Sequence, residues 1–307
     1  MKGFIFAAGY GTRVRPLTNT VPKPLLPVCN VPSILYSLML MKEAGIQTVV
    51  CNLHYLAEDI IAYFHAHDNF GFDLHFTIEE EILGTGGGLK NCEQLLDDDS
   101  ILLCNSDAIF DIPVAKLLEK YRASGSPGML VLKDTGMAER PVYVENDIIT
   151  DINYTFSSNN HAPFVYTGMA VLSPEIFKYL EEGFSSIVYT GYTSLIQHHT
   201  LAPFLHRGYW VDVGTTESYH RVNMEILDTI EYWQTRFNSL KDVRPSVTGG
   251  DVHFEDGADV TRTVTGEGGS IGSNCHIQNS VLFPGSRVEP GSRYENVIIQ
   301  NDLVIQV

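Results

Sequence analysis

Over residues 1 to about 135 the chain alternates short apolar runs with helical patterns, and that alternation leaves few folds open. Phe4–Ala8, Thr48–Asn52, Phe72–Ile78, Ile101–Cys104 and Gly128–Leu132 read as strands. Between them Ser33–Ala44, Ala57–His65, Gly88–Leu96 and Pro113–Ala123 read as helices. This βαβα order predicts an α/β fold, Rossmann-like, with a mixed, mainly parallel sheet flanked by helices. In such sheets ligands gather at the carboxyl ends of strands. The loops after Phe4–Ala8 and after Ile101–Cys104 are therefore expected on the ligand edge.

From about 140 to 215 the strands shorten: Val142–Val144, Ile148–Ile152, Phe164–Leu172 and Tyr209–Val211, with two short helices among them. A single amphipathic helix is expected over Glu217–Asn238, because Tyr219, Val222, Ile226, Ile230, Trp233 and Phe237 recur at three- or four-residue spacing. After residue 240 helix formers disappear, and Gly, Ser and Asn separate short apolar pairs. Pro284–Glu289 and Pro290–Glu295 are near-identical hexads. Hexad periodicity predicts a short left-handed parallel β-helix with about 18 residues per coil. The expected domains are therefore 1–240, an α/β domain, and 241–307, a hexapeptide-repeat tail. The tail is expected to pack on the first domain or to support a homo-oligomer.

Charge is distributed unevenly. The chain has 20 basic and 37 acidic residues and a net charge of −17, which argues against nucleic acid or an anionic membrane surface as a partner. Yet residues 1–42 carry Lys2, Arg13, Arg15, Lys23 and Lys42 and no carboxylate. Within this basic island Gly9-Tyr10-Gly11-Thr12-Arg13 follows an apolar strand, and Lys23 stands between Pro22 and Pro24 on a segment expected to be non-helical. Glycines let backbone N–H groups turn onto a phosphate, and Arg13 can bind its oxygens in a bidentate pair. A dinucleotide fingerprint is excluded, because position 14 is Val14 and no acid stands at 31–42. No P-loop GxxxxGK[ST] occurs. The five cysteines form no CxxC pair and are expected as buried, reduced thiols of a cytoplasmic protein. The eleven histidines show no metal-site spacing.

The segments GYGTR, PLT (16–18) and PKPLLPV (22–28) resemble the signature of the sugar-1-phosphate nucleotidyltransferases, or nucleotide-sugar pyrophosphorylases. Four further segments are similar in order: Asn52–Leu56, Leu83–Leu89 with its TGGG loop, Asn105-Ser106-Asp107, and Tyr209–Thr215. The resemblance implies transfer of a nucleoside monophosphate from an NTP, with UTP or GTP favoured, to a sugar 1-phosphate, with release of pyrophosphate. It implies Arg13, Lys23 and Asp107 as catalytic residues. Ala8, Gly9, Gly11, Thr12, Arg13, Lys23, Glu81, Thr85, Gly86 and Gly87 would bind the nucleotide, with Gly88 nearby. Asn105 and Gly168 would meet the sugar phosphate. Asp107 and Asp212 would hold Mg²⁺, a hard cation that prefers carboxylate and phosphate oxygens.

The chain departs from the family pattern in three places. Ser106 replaces a common glycine, Thr216 follows Thr215 where proline is usual, and no Glu-Lys-Pro segment occurs near Asp151–Tyr154. A second sugar-phosphate lysine is therefore unassigned. The altered sugar segment motivates a different class of reading, a non-catalytic regulatory subunit that senses nucleotide sugar. An acyltransferase built on the tail would have only His253 and His276 as bases.

Overall fold

A computed structural model describes residues 1–136, 139–156, 163–240 and 243–307. By contact the chain divides into two compact units, Met1–Tyr10 with Tyr36–Asp212, and Gly11–Leu35 with Val213–Val307. The expected domain boundary at 240/241 falls beside residues outside the described ones.

The first unit is built on a nine-stranded sheet. Its elements are β1 (Lys2–Phe6), α1 (Ser33–Glu43), β2 (Thr48–Leu53), α2 (Ala57–Ala66), β3 (Asp73–Ile78), α3 (Gly84–Lys90), α4 (Glu93–Leu96) and β4 (Ile101–Asn105), followed by β5 (Ala108–Phe110), α5 (Val114–Ser124), β6 (Gly128–Asp134), β7 (Pro141–Glu145), β8 (Ile148–Ile152), β9 (Phe164–Leu172), α6 (Thr193–Gln197), β10 (Leu201–His206) and β11 (Trp210–Asp212). The main path runs β8-β7-β9-β4-β1-β2-β3, with β6 on β9 and β10 on β6. The β4-β1-β2-β3 half is parallel throughout, as the alternation of runs and helices requires. Its strands read as continuous apolar runs because both faces are covered. Phe4, Val50 and Leu103 are fully buried in one core with Leu130 and Leu172, each contributing about 1.5–3 kcal/mol relative to exposure. Gly3 sits in central β1 because a Cβ there would lie 2.5 Å from Met41 Sδ and 3.1 Å from Val49 Cγ2.

One local expectation is corrected, and two strands appear that the sequence reading did not name. The helix expected over Gly88–Leu96 starts at Gly84 and ends at Lys90, and a separate helix covers Glu93–Leu96. Glycine is about 1 kcal/mol worse than alanine in a helix, so tertiary packing overrides propensity here. Leu201–His206 is a strand although it contains Pro203. Among the described residues it pairs only with β6, and an edge strand tolerates a residue that cannot donate. Ala108–Phe110 is also a strand, antiparallel to β11.

The second unit contains α7 (Thr216–Asp228), α8 (Ile230–Arg236) and the tail strands. The helix expected over Glu217–Asn238 thus breaks at Thr229, whose hydroxyl donates back to Glu225 O at 2.9 Å and competes with helix propagation. Its apolar register nevertheless holds, since Tyr219, Val222, Ile226, Trp233 and Phe237 are buried. The start of α7 is fixed by a capping box between Thr215 and Ser218, which leaves Thr216 in the first turn without need of proline.

The tail strands are β12 (His253–Phe254), β13 (Asp259–Thr261), β14 (Val264–Thr265), β15 (Ser270–Ile271), β16 (His276–Gln278), β17 (Val281–Leu282), β18 (Arg287–Val288), β19 (Arg293–Glu295), β20 (Val297–Gln300) and β21 (Leu303–Gln306). They form three parallel faces, β12-β15-β18, β13-β16-β19 and β14-β17-β20, with antiparallel β21 closing the last. These parallel faces are consistent with a left-handed β-helix. The coil is 17 residues rather than about 18: His253 pairs Ser270, which pairs Arg287. Left-handed backbone recurs at the same step, at Asp251/Gly268/Gly285, Gly257/Asn274/Gly291 and Arg262/Asn279/Asn296. Gly, Asn and Asp tolerate such corners, and Arg262 is the exception among these nine positions. Ile271, Ile277, Leu282, Val288, Val297 and Ile299 fill the coil interior.

Candidate functional site

The first unit carries the carboxylates and the glycine run. At the ends of β1, β2 and β3 a chain of buried hydrogen bonds joins three loops. Ala7 N–H donates to Asn52 Oδ1 at 3.1 Å, and Asn52 Nδ2 donates to Glu79 Oε1 at 2.7 Å. Glu79 Oε2 accepts from Leu83 N–H at 2.9 Å, just before α3. Glu79 is only 3% exposed. A Cβ on Gly88 would lie 2.7 Å from Asn52 Nδ2 and 2.8 Å from Glu79 Oε1. Gly88 is therefore required by close packing on that pair. In the run Glu79-Glu80-Glu81 it is Glu79 that packs against the glycines, while Glu81 is exposed. Sequence reasoning did not single out Asn52 or Glu79 as members of the site.

The TGGG run is the first turn of α3, not a loop. Gly86 N–H donates to Ser185 O at 2.8 Å, and Thr85 Oγ1 accepts from Ile187 N–H at 3.1 Å. Gly87 packs on Gly183 O. Thr85, Gly86 and Gly87 are thus seated against the 183–187 segment. Beside them His54 lies 2.8 Å from Glu79 O through Nδ1 and 2.9 Å from Tyr10 Oη through Nε2. Ala8 is buried, and a Cβ on Gly9 would meet no atom within 4 Å.

At the end of β4, Ser106 N–H donates to Phe6 O at 3.1 Å, which extends the β1–β4 pairing into the turn that carries Asp107. β11 pairs antiparallel with β5, and Asp212 stands opposite Ala108. Asp107 and Asp212 therefore project from neighbouring strand ends, one residue out of register. Trp210 Nε1 donates to Thr167 O at 3.0 Å and ties β11 to β9. The β9 ladder shifts register between Tyr166 and Ala170. Within that interruption Gly168 has φ 84° and lies against the Asn105 side-chain amide with no room for a Cβ. Asn105 and Gly168 are thus in contact. A register break beside a candidate site re-aims side chains. Buried His206 braces the other end of the β5–β11 pair, with Nε2 at 3.0 Å from Asp111 Oδ1 and 3.0 Å from Tyr209 O. Tyr166 and Tyr192 share a 3.0 Å hydrogen bond, and burial pushes both phenols up.

The second unit carries the cationic loop. Gly11 has φ 65° and opens a 3₁₀ turn over Thr12–Val14. Its carbonyl accepts from Thr18 Oγ1 at 2.8 Å and from Val14 N–H at 3.0 Å. The Gly11 Cβ position is 3.1 Å from Lys23 Cβ, so the glycine loop and the lysine are neighbours. Thr12 and Arg13 are exposed. The segment expected to be non-helical forms one 3₁₀ turn, Lys23–Leu25. Prolines fit there because neither of their missing N–H groups is needed in a first turn. Ser33 Oγ holds the turn through Lys23 O and Pro24 O at 3.3 and 3.2 Å.

Among the described residues no group of three or more His, Cys, Asp or Glu could hold a metal by itself, and no helix is long and apolar enough to cross a membrane.

Known proteins resemble the chain along most of its length. A Nucleotidyl transferase family model matches residues 2–229, and a GlmU-like, C-terminal hexapeptide model matches 237–307. A mannose-1-phosphate guanyltransferase of Eremothecium gossypii is 33% identical over 71% of the chain. That alignment spans 63% of the relative's own length, as it does for the Kluyveromyces lactis enzyme of the same name. A UTP–glucose-1-phosphate uridylyltransferase of Synechocystis is 26% identical over 97% of the chain and 87% of its own. HddC from Yersinia pseudotuberculosis, solved with GMP-PN, superposes with a TM-score of 0.61 over 73% of this chain and 99% of its own, at 20% identity. A chain from Bacillus anthracis crystallised with sucrose superposes with a TM-score of 0.64 at 22% identity, over 73% of this chain and 94% of its own. These two share the fold. On the extent of the family match, the chain belongs to the nucleotidyl transferase family, with a GlmU-like hexapeptide region at its C-terminal end.

Proposed function

We propose that the chain transfers a nucleoside monophosphate from GTP, or from UTP, to a sugar 1-phosphate and releases pyrophosphate. The observation that carries this reading is the pairing of Asp212 with the strand that follows Asp107, in a chain that also sets Lys23 beside the Gly11 turn. The nucleophile, a phosphate oxygen, is already anionic, so the reaction needs charge neutralisation and in-line alignment more than acid–base chemistry. In this reading Gly11, Thr12 and Arg13 hold the triphosphate. Arg13 favours the departing pyrophosphate, and Lys23 bridges the reacting phosphates. Asn105 and Gly168 border the sugar phosphate.

Two carboxylates on neighbouring strand ends fit a hard divalent cation that takes its other ligands from phosphate and water. Asp107 and Asp212 would hold Mg²⁺, which would neutralise developing phosphate charge. The nucleobase would lie near α3. An exposed carboxylate such as Glu81 would suit the adjacent N–H donors of guanine better than the single N–H of uracil, which favours GTP. The guanyltransferase names of the fungal relatives support the same preference. A regulatory subunit without turnover is less favoured, because Arg13, Lys23, Asp107 and Asp212 are all present. A cytoplasmic setting and self-association through the tail complete the reading.

A pyrophosphate-release screen of four NTPs against a panel of sugar 1-phosphates, with Mg²⁺, tests it. Turnover with one NTP and one sugar class is expected. A preparation that binds nucleotide but turns over no pair overturns it in favour of the regulatory reading.

A further inference from the structure

Two sets of hydrogen bonds attach the segment that carries the cationic loop to the tail. The first is at the turn of Cys29 and Asn30, where both residues have left-handed φ. Cys29 O accepts from Ser246 N–H at 2.9 Å. Asn30 Nδ2 donates to Ser246 O at 3.0 Å and to Thr265 O at 3.2 Å. The second is deeper and lies closer to the candidate phosphate loop. Gln300, the last residue of β20, donates from Nε2 to Leu17 O at 3.1 Å across 283 residues of sequence. Gln300 is 6% exposed and Leu17 fully buried. The next residue, Thr18, donates its hydroxyl to Gly11 O. Two hydrogen bonds thus link the last coil of the β-helix to the carbonyl of Gly11, whose left-handed conformation starts the Thr12–Val14 turn.

We infer that the final coil of the tail positions the phosphate-binding loop, with Gln300 as the positioning residue. This inference rests on the triphosphate role proposed above for that loop. A buried carbonyl that loses its donor is costly, so the backbone around Leu17 would shift without Gln300. Thr18 and Gly11 are the next links. Gln300, Leu17 and Gly11 belong to one unit and the residues assigned to the sugar and the metal to the other, so its effect should fall on the pyrophosphate part of the nucleotide.

The test is titration calorimetry of the full chain with inorganic pyrophosphate and Mg²⁺, with steady-state kinetics beside it. Gln300→Met keeps the volume and removes the donor. Gln300→Asn keeps an amide but shortens its reach, and is read if the first variant fails to fold. Thr18→Val removes the second link. Gln306→Met is the control, because the Gln306 side-chain amide donates to Glu295 O and Asn296 O within the tail.

Both Gln300 variants and Thr18→Val should weaken pyrophosphate about 5- to 10-fold, the loss of one buried hydrogen bond. The double variant should be no worse than the poorer single one, because both act on one loop. KM for the NTP should rise while KM for the sugar phosphate stays within about twofold. Gln306→Met should leave pyrophosphate binding unchanged. Four outcomes overturn the inference: Gln300 variants that lose thermal stability yet bind pyrophosphate normally; equal losses for sugar phosphate and pyrophosphate; failure of both Gln300 variants to fold, which leaves a stability role alone; and wild-type protein that binds no pyrophosphate. If the wild type binds pyrophosphate but turns over no substrate pair, the transfer reading fails, and the positioning role is decided by the binding data.

Discussion

Asn52 and Glu79 share a buried 2.7 Å hydrogen bond directly beneath Gly88. Glu79 accepts on both oxygens, from Asn52 and from Leu83 N–H. Replacing Glu79 by alanine therefore leaves the buried Asn52 donor and the partly buried Leu83 N–H unpaired, each costing about 1–3 kcal/mol where water cannot replace the partner. Glu79→Ala is expected to lower unfolding free energy by about 2–4 kcal/mol in urea melts and to weaken nucleotide binding. Glu79→Gln keeps the shape and one acceptor, and is expected to retain most stability. If it folds normally but changes the preferred NTP in the release screen, the carboxylate also reads the base. Stability unchanged in Glu79→Ala would refute the network.

Gly168 is the second position where a single methyl group should be decisive. Its φ of 84° is unfavourable for any side chain, and the Asn105 amide occupies the place of a Cβ. Gly168→Ala must displace Asn105, at a cost of about 1–3 kcal/mol. Asn105 borders the proposed sugar site, so kcat/KM for the sugar phosphate should fall at least tenfold, with a smaller change for the NTP. Asn105→Ala in the same background should recover stability but not activity. A Gly168→Ala variant with wild-type kinetics would remove both residues from the site.

What the sequence discloses, and what it hides, follows from the range of the interaction. Hydrophobic period and glycine loops are local, so the strands β1 to β4, the cationic island and the hexads are readable in order. The coil length is not, because one side of each turn is a residue short and only the spacing of left-handed Gly, Asn and Asp reveals it. Glu79 is hidden for a sharper reason. At the end of β3 the apolar Ile78 is 59% exposed and the acid after it is buried, which inverts the usual phase of an alternating strand. Only the partners Asn52 and Leu83, brought from other elements, decide which of three consecutive carboxylates turns inward. Gln300 is similarly silent: its partner is a carbonyl 283 residues away.

The cysteines give a prediction in pH. Burial pushes the Cys92 thiol up to about 11, partly opposed by the Thr77 hydroxyl at 3.0 Å. Burial pushes Cys29, Cys51 and Cys104 higher still. A thiol whose folded value is raised stabilises the fold fully below its unfolded value of about 8.5, and that contribution is lost as pH rises toward the folded value. Unfolding free energy should therefore fall above about pH 8.5, by up to ~1.4 kcal/mol per pH unit per buried thiol. Urea melts at pH 7.5, 9 and 10 check the slope. Iodoacetamide at pH 8 should label no buried cysteine in folded protein and all five in urea, read by mass spectrometry. Rapid labelling of folded Cys92 would contradict its burial.

Arg262 and Asp228 give the opposite sign. Arg262 donates from Nη2 to Asp228 Oδ2 at 2.6 Å and from Nε to Oδ1 at 3.0 Å, a fork that joins the end of α7 to a corner of the β-helix. The guanidinium holds the Asp228 carboxyl below its ordinary range. A lowered carboxylate stabilises the fold above its unfolded value of about 3.9, and the gain is lost as pH falls through the folded value. Both side chains are about half exposed, so solvent and salt limit the pair to about 0.2–1 kcal/mol even with bidentate geometry. Asp228→Asn should lower stability by that amount at pH 7 and low salt, with the difference shrinking as pH falls below about 3.9 and in 1 M NaCl. Arg262 also donates from Nη1 to Asn279 Oδ1 at 3.1 Å, in the next coil. Arg262→Lys, which cannot keep the fork, should therefore cost at least as much as Asp228→Asn. A loss that persists unchanged at pH 3 would mean that Asp228 stabilises α7 through packing rather than charge.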